Sequence, residues 1–369
     1  MITECKKCLI NESIKDISFN KEGVCIYCEE YTRNRKFFDK SNLYTSHKLK
    51  SISRQIRNKT KGEKYNCLIG ISGGVDSTYL VYLAKKMNLR VLLVHFDNGW
   101  NSVTALKNIY KITKYTNYKL NTHVIDWEEF KSLQRSYIKS GVIDVEMLTD
   151  HAISGTLIKI AKEKKIKFIL SGENYSTENG MPRHWTWQKI DKSNITNINK
   201  RFENIEIKKF PIINYYNYIK ILFFSKISFV KILNEINYEK LKSIDILKKK
   251  VGFIEYFNKH EESLFTKFYQ SYYLPRRFNV DKRIAHMSAL IRNNEITKEY
   301  AKKLINQPLE DEKLKKEIEF VCEKLDFDVK EMEEIVKQKT VDHMFYGSDL
   351  KYFSFLFKLK NFFKIKLFK

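Results

Sequence analysis

The stretch from Cys67 to Ser77 constrains this chain more than any other. It reads Cys-Leu-Ile-Gly-Ile-Ser-Gly-Gly-Val-Asp-Ser, so a short apolar run leads into two glycines, an acid and a hydroxyl. The apolar run predicts a buried strand. Gly73 and Gly74 allow backbone angles at which successive N–H groups face an anion. A helix expected from Asp76 to Met87 directs its positive end at the same point, so the stretch predicts a phosphate-binding loop between strand and helix.

Strand and helix patterns alternate from Tyr65 to Asn174, which predicts an α/β fold with a doubly wound parallel sheet. The further predicted strands are Arg90–Phe96, Thr122–Asp126 and Lys167–Leu170, and the further predicted helices are Thr104–Thr116 and Ala152–Lys162. Asp150 also suits the N-cap of the last helix. We divide the chain into a zinc-binding unit (1–35), a basic connector (36–62), a nucleotide domain (63–210) and a mostly helical region (211–369) for substrate or partner.

Four of the six cysteines form two Cys-x-x-Cys pairs near the N-terminus, Cys5 with Cys8 and Cys25 with Cys28. This spacing is typical of zinc knuckles, in which each pair presents two thiolates to one tetrahedral ion. Disulfides are the alternative, and a cytosolic chain disfavours them. Four thiolates leave no open coordination position, so we expect a structural Zn²⁺.

Charge and hydropathy narrow the location and the partners. The formal net charge is +24, which attracts polyanions such as nucleic acid, acidic lipid headgroups or nucleotide sugars without choosing among them. The N-terminus has no secretory apolar region, and no apolar run reaches about 18 residues. The run Ile212–Leu233 is interrupted by lysines, which favours a buried or surface-lying helix over a membrane span. We therefore expect a cytoplasmic protein.

Polar side chains follow the predicted strands, where an open α/β sheet binds its ligands. His95 and Asp97 end the second strand, where a nucleotide base and ribose belong. Gly172, Glu173 and Asn174 follow the fourth strand, and a glycine beside a carboxylate and an amide suits close approach to a ligand, with a local turn as the alternative.

Three acids precede the helix at Ala152, namely Asp144, Glu146 and Asp150. They suit Mg²⁺ held between phosphates, and a solvated acidic face is an equal alternative.

Further along, Glu255–Gln270 predicts a helix, followed by a basic turn with Pro275 as the helix breaker. Four cations in or after this turn suit phosphate or carboxylate, although a cationic surface turn is the alternative. They are Arg276, Arg277, Lys282 and Arg283.

The loop Ser72–Ser77 lacks the Lys-Ser/Thr ending of a Walker A loop and instead resembles the PP-loop of the ATP pyrophosphatases. That family splits ATP between its α and β phosphates and transfers AMP to a carbonyl oxygen. Further motifs make the chain similar to the N-acetyl sugar amidotransferases of bacterial surface polysaccharides and flagellar sugars, which turn an acetamido group into an acetamidino group. These motifs are the cysteine pairs, Ser72–Ser77, Gly172–Asn174, Lys259–Glu261, Phe265–Phe268, Leu274-Pro275, Asp281–Arg283 and Ile296-Thr297.

The resemblance implies ATP and Mg²⁺ as cofactors and an N-acetylated, nucleotide-linked sugar as substrate. It also implies a separate glutaminase and a cyclase-like subunit that conducts ammonia, because no cysteine here has a glutaminase signature. The catalytic residues that we expect are Asp76, Ser77 and Lys267. The nucleotide-binding residues that we expect are Ser72, Gly73, Gly74, Val75, Asp76, Ser77, His95, Asp97, Gly172, Glu173 and Asn174. The substrate-binding residues that we expect are Asp150, Lys259, His260, Arg276, Arg277, Lys282 and Arg283.

Two other functions compete with this interpretation. A tRNA-thiolating PP-loop enzyme would explain the charge and the zinc unit, but such enzymes usually carry Lys where this chain has Val75, and they need cysteines in the nucleotide domain, which here has Cys67 alone. Specific nucleic-acid binding is therefore not expected. A nucleotide-binding scaffold at the membrane is the third function. The tail Leu350–Lys369, rich in lysine and aromatic residues, suits weak contact with anionic membrane, a partner surface or the chain's own core.

Overall fold

The centre of the fold is a five-stranded parallel sheet with the strand order β3-β2-β1-β4-β5. The computed structural model describes residues 3–38, 42–256, 262–309 and 312–350. The strands are β1 Cys67–Gly70, β2 Val91–Asp97, β3 Lys119–Val124, β4 Phe168–Leu170 and β5 Ser228–Val230. The chain turns from one side of β1 to the other after β3, so the gap between β1 and β4 is the topological switch point at which open sheets bind ligands.

Helices cover both faces of the sheet, and further helices form most of the regular structure outside it. The N-terminal and sheet-associated helices are α1 Ile26–Phe38, α2 Asn42–Lys59, α3 Val75–Lys86, α4 Val103–Thr116, α5 Trp127–Ser140, α6 Met147–Glu163, the single turn α7 Tyr175–Glu178, α8 Lys192–Arg201, α9 Tyr215–Phe224 and α10 Lys240–Val251. The C-terminal helices are α11 Leu264–Phe268, α12 Leu274–Phe278, α13 Lys282–Arg292, α14 Lys298–Ile305, α15 Glu312–Lys324 and α16 Val329–Lys337.

The alternation of side chains along a strand places two separate cores on the two faces of the sheet. In β1, Ile69 faces a core that includes Leu80 of α3 and Leu247 of α10. Its neighbour Leu68 faces the opposite core, with Ile158 of α6. Each of these side chains is at most 3% exposed, so β1 is buried on both faces, as its unbroken apolar sequence predicts.

A third and larger core joins the N-terminal cysteine unit to the C-terminal helices. The backbone N–H of Leu9 donates to Ser288 Oγ on α13 at 3.1 Å. The ring of Tyr31 on α1 stacks on Tyr175 of α7 with a centroid separation of 5.7 Å. The cysteine unit therefore packs against elements that lie more than 140 residues away in the sequence.

The parallel α/β fold is confirmed, and so are the four predicted strands, although β3 begins three residues before the expected Thr122. The sheet also has a fifth strand. Within the run Ile212–Leu233, helix α9 ends at Phe224, and Ser228–Val230 then pairs with β4, so one continuous helix was the wrong interpretation. A three-residue strand carries too little periodicity to be recognised beside a helix of the same composition.

Two predictions about helix ends are wrong. Helix α6 begins at Met147, so Asp150 lies inside its first turn and Glu146 occupies the N-cap position. Pro275 does not break a helix, because α11 continues through a π-helical stretch, Tyr269–Tyr273, directly into α12. The wider π turn relieves the clash between a proline ring and the carbonyl one turn earlier. Arg276 and Arg277 therefore lie on a helix and not in a turn.

No helix in the described ranges is both long and apolar enough to cross a membrane.

Candidate functional site

The predicted phosphate loop lies between the carboxyl end of β1 and the first turn of α3. Gly73 has a φ of +81°, and a Cβ there would lie 2.4 Å from the carbonyl oxygen of Ala105, so only glycine fits. Gly74 occupies the N-cap position of α3 with extended backbone angles. The first N–H groups of a helix have no intrahelical partner, so those of Val75, Asp76 and Ser77 are available to an anion.

Two serine hydroxyls keep the loop in this form. Ser77 Oγ donates to the carbonyl of Gly74 at 3.2 Å, and the N–H of Gly74 donates to Ser72 Oγ at 3.3 Å. The two hydroxyl oxygens are 3.3 Å apart. From outside the loop, Tyr256 donates its hydroxyl to the carbonyl of Gly73 at 2.9 Å. These bonds hold the loop through the Gly73 and Gly74 carbonyls and the Gly74 N–H, and they leave the N–H groups of Val75, Asp76 and Ser77 for phosphate oxygens.

The carboxylate of Asp76 is fixed by a residue that the sequence did not single out. Tyr238, which is 1% exposed, donates its hydroxyl to Asp76 Oδ1 in a short hydrogen bond. Burial, together with the charge of Asp76, raises the pKa of Tyr238 well above its ordinary value, so the hydroxyl stays protonated as a donor. No local pattern connects the two, because they lie 162 residues apart.

A cavity of about 390 Å³ opens beside the loop and extends to the C-terminal helices. Its wall combines loop residues, apolar side chains from α10, α13 and α14, and a group of ionisable side chains. Ser72, Gly74, Val75, Asp76, Ser77 and Gly172 form the loop side of the wall. The ionisable side chains missed by sequence reasoning are Glu178, Lys240, Glu255, Glu262 and His286. A Cβ on Gly74 would lie 3.1 Å from Glu262 Oε1, so this carboxylate is next to the phosphate loop.

Not every residue predicted to bind nucleotide reaches this cavity. A Cβ on Gly172 would lie 3.3 Å from Ser77 N, which explains the glycine there. Glu173 instead pairs with Lys231 at 2.8 Å, and Asn174 caps α7 by accepting the N–H of Thr177 at 2.9 Å. These two residues shape the loop after β4 and do not line the cavity.

The two residues at the end of β2 have local partners. His95 is buried, and its Nδ1 is 3.1 Å from the carbonyl oxygen of Ile71, next to the phosphate loop. Asp97 accepts from the N–H of Gly99 at 3.0 Å and from Asn101 at 2.8 Å. Neither lines the cavity, and their expected contacts with the nucleotide stay predictions.

The predicted acidic cluster of Asp144, Glu146 and Asp150 lies around the start of α6 and does not line the cavity. Burial raises the pKa of Glu146 to about 7, although the charge of Lys282 and a hydrogen bond from Thr266 oppose this shift. Burial likewise raises the pKa of Asp144, which accepts the N–H of Trp187 at 2.7 Å. Among the described side chains, only the four N-terminal cysteines place their ligand atoms close enough together to hold a metal ion. The carboxylate oxygens of this acidic cluster are not arranged in that way.

Asp150, Lys282 and Lys267, predicted to bind substrate or act in catalysis, have protein partners. Lys189 pairs with Asp150 at 3.2 Å, and Lys282 is 6% exposed with its Nζ 3.4 Å from the hydroxyl of Tyr269. Lys267, expected in catalysis, pairs with Glu317 at 2.6 Å.

The arginines after Pro275 contact protein groups as well. Arg277 is buried and donates to the carbonyl of Ile138 at 2.9 Å. Arg283 pairs with Asp281 at 2.8 Å and donates to the carbonyl of Gln307, while Arg276 lies over the ring of Tyr272. The other two residues expected at the substrate, Lys259 and His260, lie outside the described residues.

Four buried cysteines converge near the N-terminus as predicted. All four Sγ atoms lie within 4.8 Å of one another. The Sγ atoms of Cys5 and Cys28 are 3.9 Å apart, and those of Cys8 and Cys25 are 3.7 Å apart. Zinc–sulfur bonds of about 2.3 Å in a tetrahedron place sulfurs about 3.8 Å apart. The donor set and its spacing therefore fit a structural Zn²⁺, with no position left for a substrate.

Comparison with protein-family models divides the chain into two matched parts. Residues 66–181 match the model described as "Queuosine biosynthesis protein QueC". Residues 262–360 match the model described as "LPS biosynthesis protein WbpG-like, C-terminal domain".

Individual proteins show more distant similarity. The chain is 26% identical over 173 residues to the "Uncharacterized protein MJ1599" of Methanocaldococcus jannaschii, an alignment that spans 46% of this chain and 58% of the relative. Among solved structures, it is similar to an NH3-dependent NAD synthetase from Campylobacter jejuni, with 15% identity and a TM-score of 0.31, covering 56% of this chain and 86% of that one.

The first matched region contains strands β1 to β4 and the Ser72–Ser77 loop. The second contains α13 and α14, which line the side of the cavity opposite the loop. The Ser72–Ser77 loop therefore lies in the region that is similar to a PP-loop class of ATP-using enzymes. The C-terminal region is similar to a WbpG-like C-terminal domain, in agreement with the resemblance found in the sequence motifs.

Proposed function

We propose that this chain is an ATP-dependent, AMP-forming amidotransferase that converts the acetamido group of an N-acetylated sugar into an acetamidino group. One observation carries the proposal: a single cavity has the PP-loop on one wall and helices of the WbpG-like region on the other. Phosphate chemistry and acceptor recognition therefore share one space. The proposed context is the biosynthesis of bacterial surface glycans or flagellar sugars.

The proposed reaction has two steps. The acetamido oxygen attacks the α-phosphorus of ATP, the bond to the β-phosphate oxygen breaks, and pyrophosphate leaves. AMP is then bonded to the former carbonyl oxygen, which makes the carbon a good electrophile. Ammonia adds to that carbon, and AMP leaves with the oxygen. The products are amidine, AMP and pyrophosphate.

The residues of the loop act through position and charge. The amide groups from Val75 to Ser77 would hold the pyrophosphate as negative charge develops on it, together with the Ser72 hydroxyl and with the Ser77 hydroxyl once that group turns from the Gly74 carbonyl to the ligand. Asp76, fixed by Tyr238, lies in the first turn of α3. Mg²⁺ bound with ATP would neutralise phosphate charge and keeps most of its ligands as water and phosphate oxygens, so it does not require a preformed cage of carboxylates.

The cavity also suits the product. An amidine is protonated near neutral pH, so the reaction turns a neutral group into a cation. Among the described residues, the wall carries three glutamates, Glu178, Glu255 and Glu262, against one lysine, Lys240, and one histidine, His286. A carboxylate-rich wall favours a developing cation over its neutral precursor.

Ammonia must come from another protein, because the cysteines of this chain are unsuited to release it from glutamine. All six lie in the described residues, and all are buried. Four form the proposed zinc site. Burial raises the pKa of Cys67 and raises the pKa of Cys322 to about 12, which keeps both as unreactive thiols. We propose a separate glutaminase, with a cyclase-like subunit that conducts the ammonia.

Mass spectrometry of reactions with ATP, Mg²⁺, ammonium and candidate acetamido nucleotide sugars tests the proposal. Replacing the carbonyl oxygen by imino nitrogen lowers the neutral product mass by about one dalton, and AMP and pyrophosphate accumulate in equal amounts with the product. Asp76→Ala and Ser77→Ala serve as loop variants, with zinc content as the control for folding. If pyrophosphate forms only with tRNA and not with any sugar, the tRNA-modifying alternative replaces this proposal.

A further inference from the structure

One arginine connects the cysteine unit to the loop after β4. Arg292, at the end of α13, points Nη1 at Cys8 Sγ, 3.6 Å away. Its Nη2 donates to the carbonyl oxygen of Asn179 at 2.8 Å, and its Nε donates to the side-chain oxygen of the same residue. The guanidinium of Arg292 therefore contacts both the sulfur of Cys8, in the proposed zinc site, and Asn179, in the nucleotide domain.

The environment of this arginine makes the sulfur its counter-charge. Arg292 is 7% exposed, and within the described part of the chain it forms no ion pair with a carboxylate. A buried charge is costly unless an opposite charge or several hydrogen bonds compensate it. Four thiolates on Zn²⁺ carry a net charge of −2, so a metal-loaded cluster supplies that compensation.

The fit of Arg292 against the loop depends on a glycine. Gly180 has a φ of +70°, and a Cβ there would lie 2.5 Å from Nη2 of Arg292. A side chain at this position would thus displace the guanidinium. Gly180 therefore leaves space for the guanidinium of Arg292 beside Asn179, to which Arg292 is hydrogen-bonded.

Asn179 connects Arg292 to a helical turn that lines the cavity. Its side-chain amide donates to the carbonyls of Tyr175 at 2.9 Å and Ser176 at 3.1 Å, so it closes the single turn of α7. Two residues of that turn, Thr177 and Glu178, line the cavity beside the PP-loop. The path from Cys8 Sγ to the cavity therefore consists of one side chain and one helical turn.

We propose that Arg292 is a positioning residue that couples the zinc site to ligand binding in the PP-loop cavity. This inference rests on the proposed function, because it requires that the cavity binds ATP. Zinc ligation holds Arg292, Arg292 holds Asn179, and Asn179 holds the turn that carries Thr177 and Glu178. Zinc and ATP then favour each other's binding, and by thermodynamic necessity each changes the affinity of the other by the same factor.

The test measures that factor in the zinc-loaded protein. The zinc dissociation constant is measured by competition with a colorimetric chelator, with and without a non-hydrolysable ATP analogue, and the analogue's affinity is measured by calorimetry. In the wild type we expect the analogue to tighten zinc binding about 2- to 30-fold, the range of coupling through such networks. In Arg292→Ala we expect that factor to fall to about one while the protein still binds one zinc ion.

Two further variants keep the test decisive. Asn179→Ala removes the side chain that holds α7 but leaves the contact between Arg292 Nη1 and Cys8 Sγ in place. It too should abolish the coupling. The inference can therefore be tested even if Arg292→Ala fails to fold. Lys298→Ala is the matched control: Lys298 donates to the carbonyl of Cys5 and pairs with Glu4, but makes no contact with Asn179. It should retain the full coupling factor.

Each outcome has one meaning. Equal coupling in the wild type and Arg292→Ala, or loss of coupling in Lys298→Ala to the same degree, overturns the inference. A wild type that binds zinc but no ATP analogue contradicts the proposed function instead.

Discussion

Replacing Tyr238 by phenylalanine tests how the carboxylate of the PP-loop is held. The substitution removes one hydroxyl from a buried position and leaves the ring, which packs against Tyr79 at a centroid distance of 5.7 Å. The hydroxyl donates to Asp76 Oδ1, so phenylalanine takes this hydrogen bond away from the loop. The surrounding packing stays in place.

The expected magnitude follows from the type of bond. A hydrogen bond to a charged group contributes about 1.5–3 kcal/mol, and about 1.4 kcal/mol corresponds to tenfold in rate. Tyr238→Phe should therefore lower kcat/KM for ATP by about ten- to hundredfold, if the fixed carboxylate matters for the transition state. The hydroxyl stays protonated because its pKa is raised well above the ordinary value, so the loss should not vary between pH 6 and pH 9.

The assay is sugar-dependent pyrophosphate release with saturating ammonium, together with the melting temperature. Tyr79→Phe is the matched control, because it removes a hydroxyl from the ring that packs against Tyr238 and leaves the hydrogen bond to Asp76 in place. The reasoning is refuted if both variants lose activity equally, or if Tyr238→Phe retains wild-type kcat/KM with a lowered melting temperature. The first result would assign the effect to the aromatic cluster and the second to stability alone.

Three other substitutions test separate features. Gly73→Ala should abolish pyrophosphate release, because a Cβ there meets the carbonyl of Ala105 at 2.4 Å, and circular dichroism should show a folded protein. Cys25→Ser should reduce bound zinc, measured by atomic emission, from one equivalent to near zero, whereas Cys322→Ala should retain it. Burial raises the native pKa of Glu146 to about 7, so its ionisation costs stability progressively as pH rises from its ordinary pKa through 7. Glu146→Gln should therefore raise the melting temperature at pH 8 and change it little at pH 5; an equal gain at both values contradicts a titration effect.

The elements with a strong local signal could be predicted from the sequence. Cys67–Ser77 joins an apolar strand to glycines and a helix, and each part independently favours the same loop geometry. The cysteine pairs have the spacing that a metal requires, and the structure brings them together. In both features, neighbouring residues carry most of the information.

The parts that sequence reasoning missed depend on contacts between distant segments. Tyr238 reaches Asp76 across 162 residues, and His286 enters the cavity only because α13 packs beside α7. Arg277 looked like a phosphate ligand by composition, yet it satisfies backbone carbonyls in the interior. A basic residue in a sequence does not reveal whether its partner is a substrate or the protein itself.

Because the cysteine unit packs on α13, it can reach its final position only after that helix has been synthesised. The hydrogen bond from Leu9 to Ser288 joins residues 279 positions apart. At 5–20 residues per second, the N-terminal cysteines wait on the order of tens of seconds before that helix emerges. We expect a metal ion bound by the four cysteines to stabilise the unit during that interval, before the helices that bury it exist. The first segment to be made is thus among the last to reach its final position in the fold.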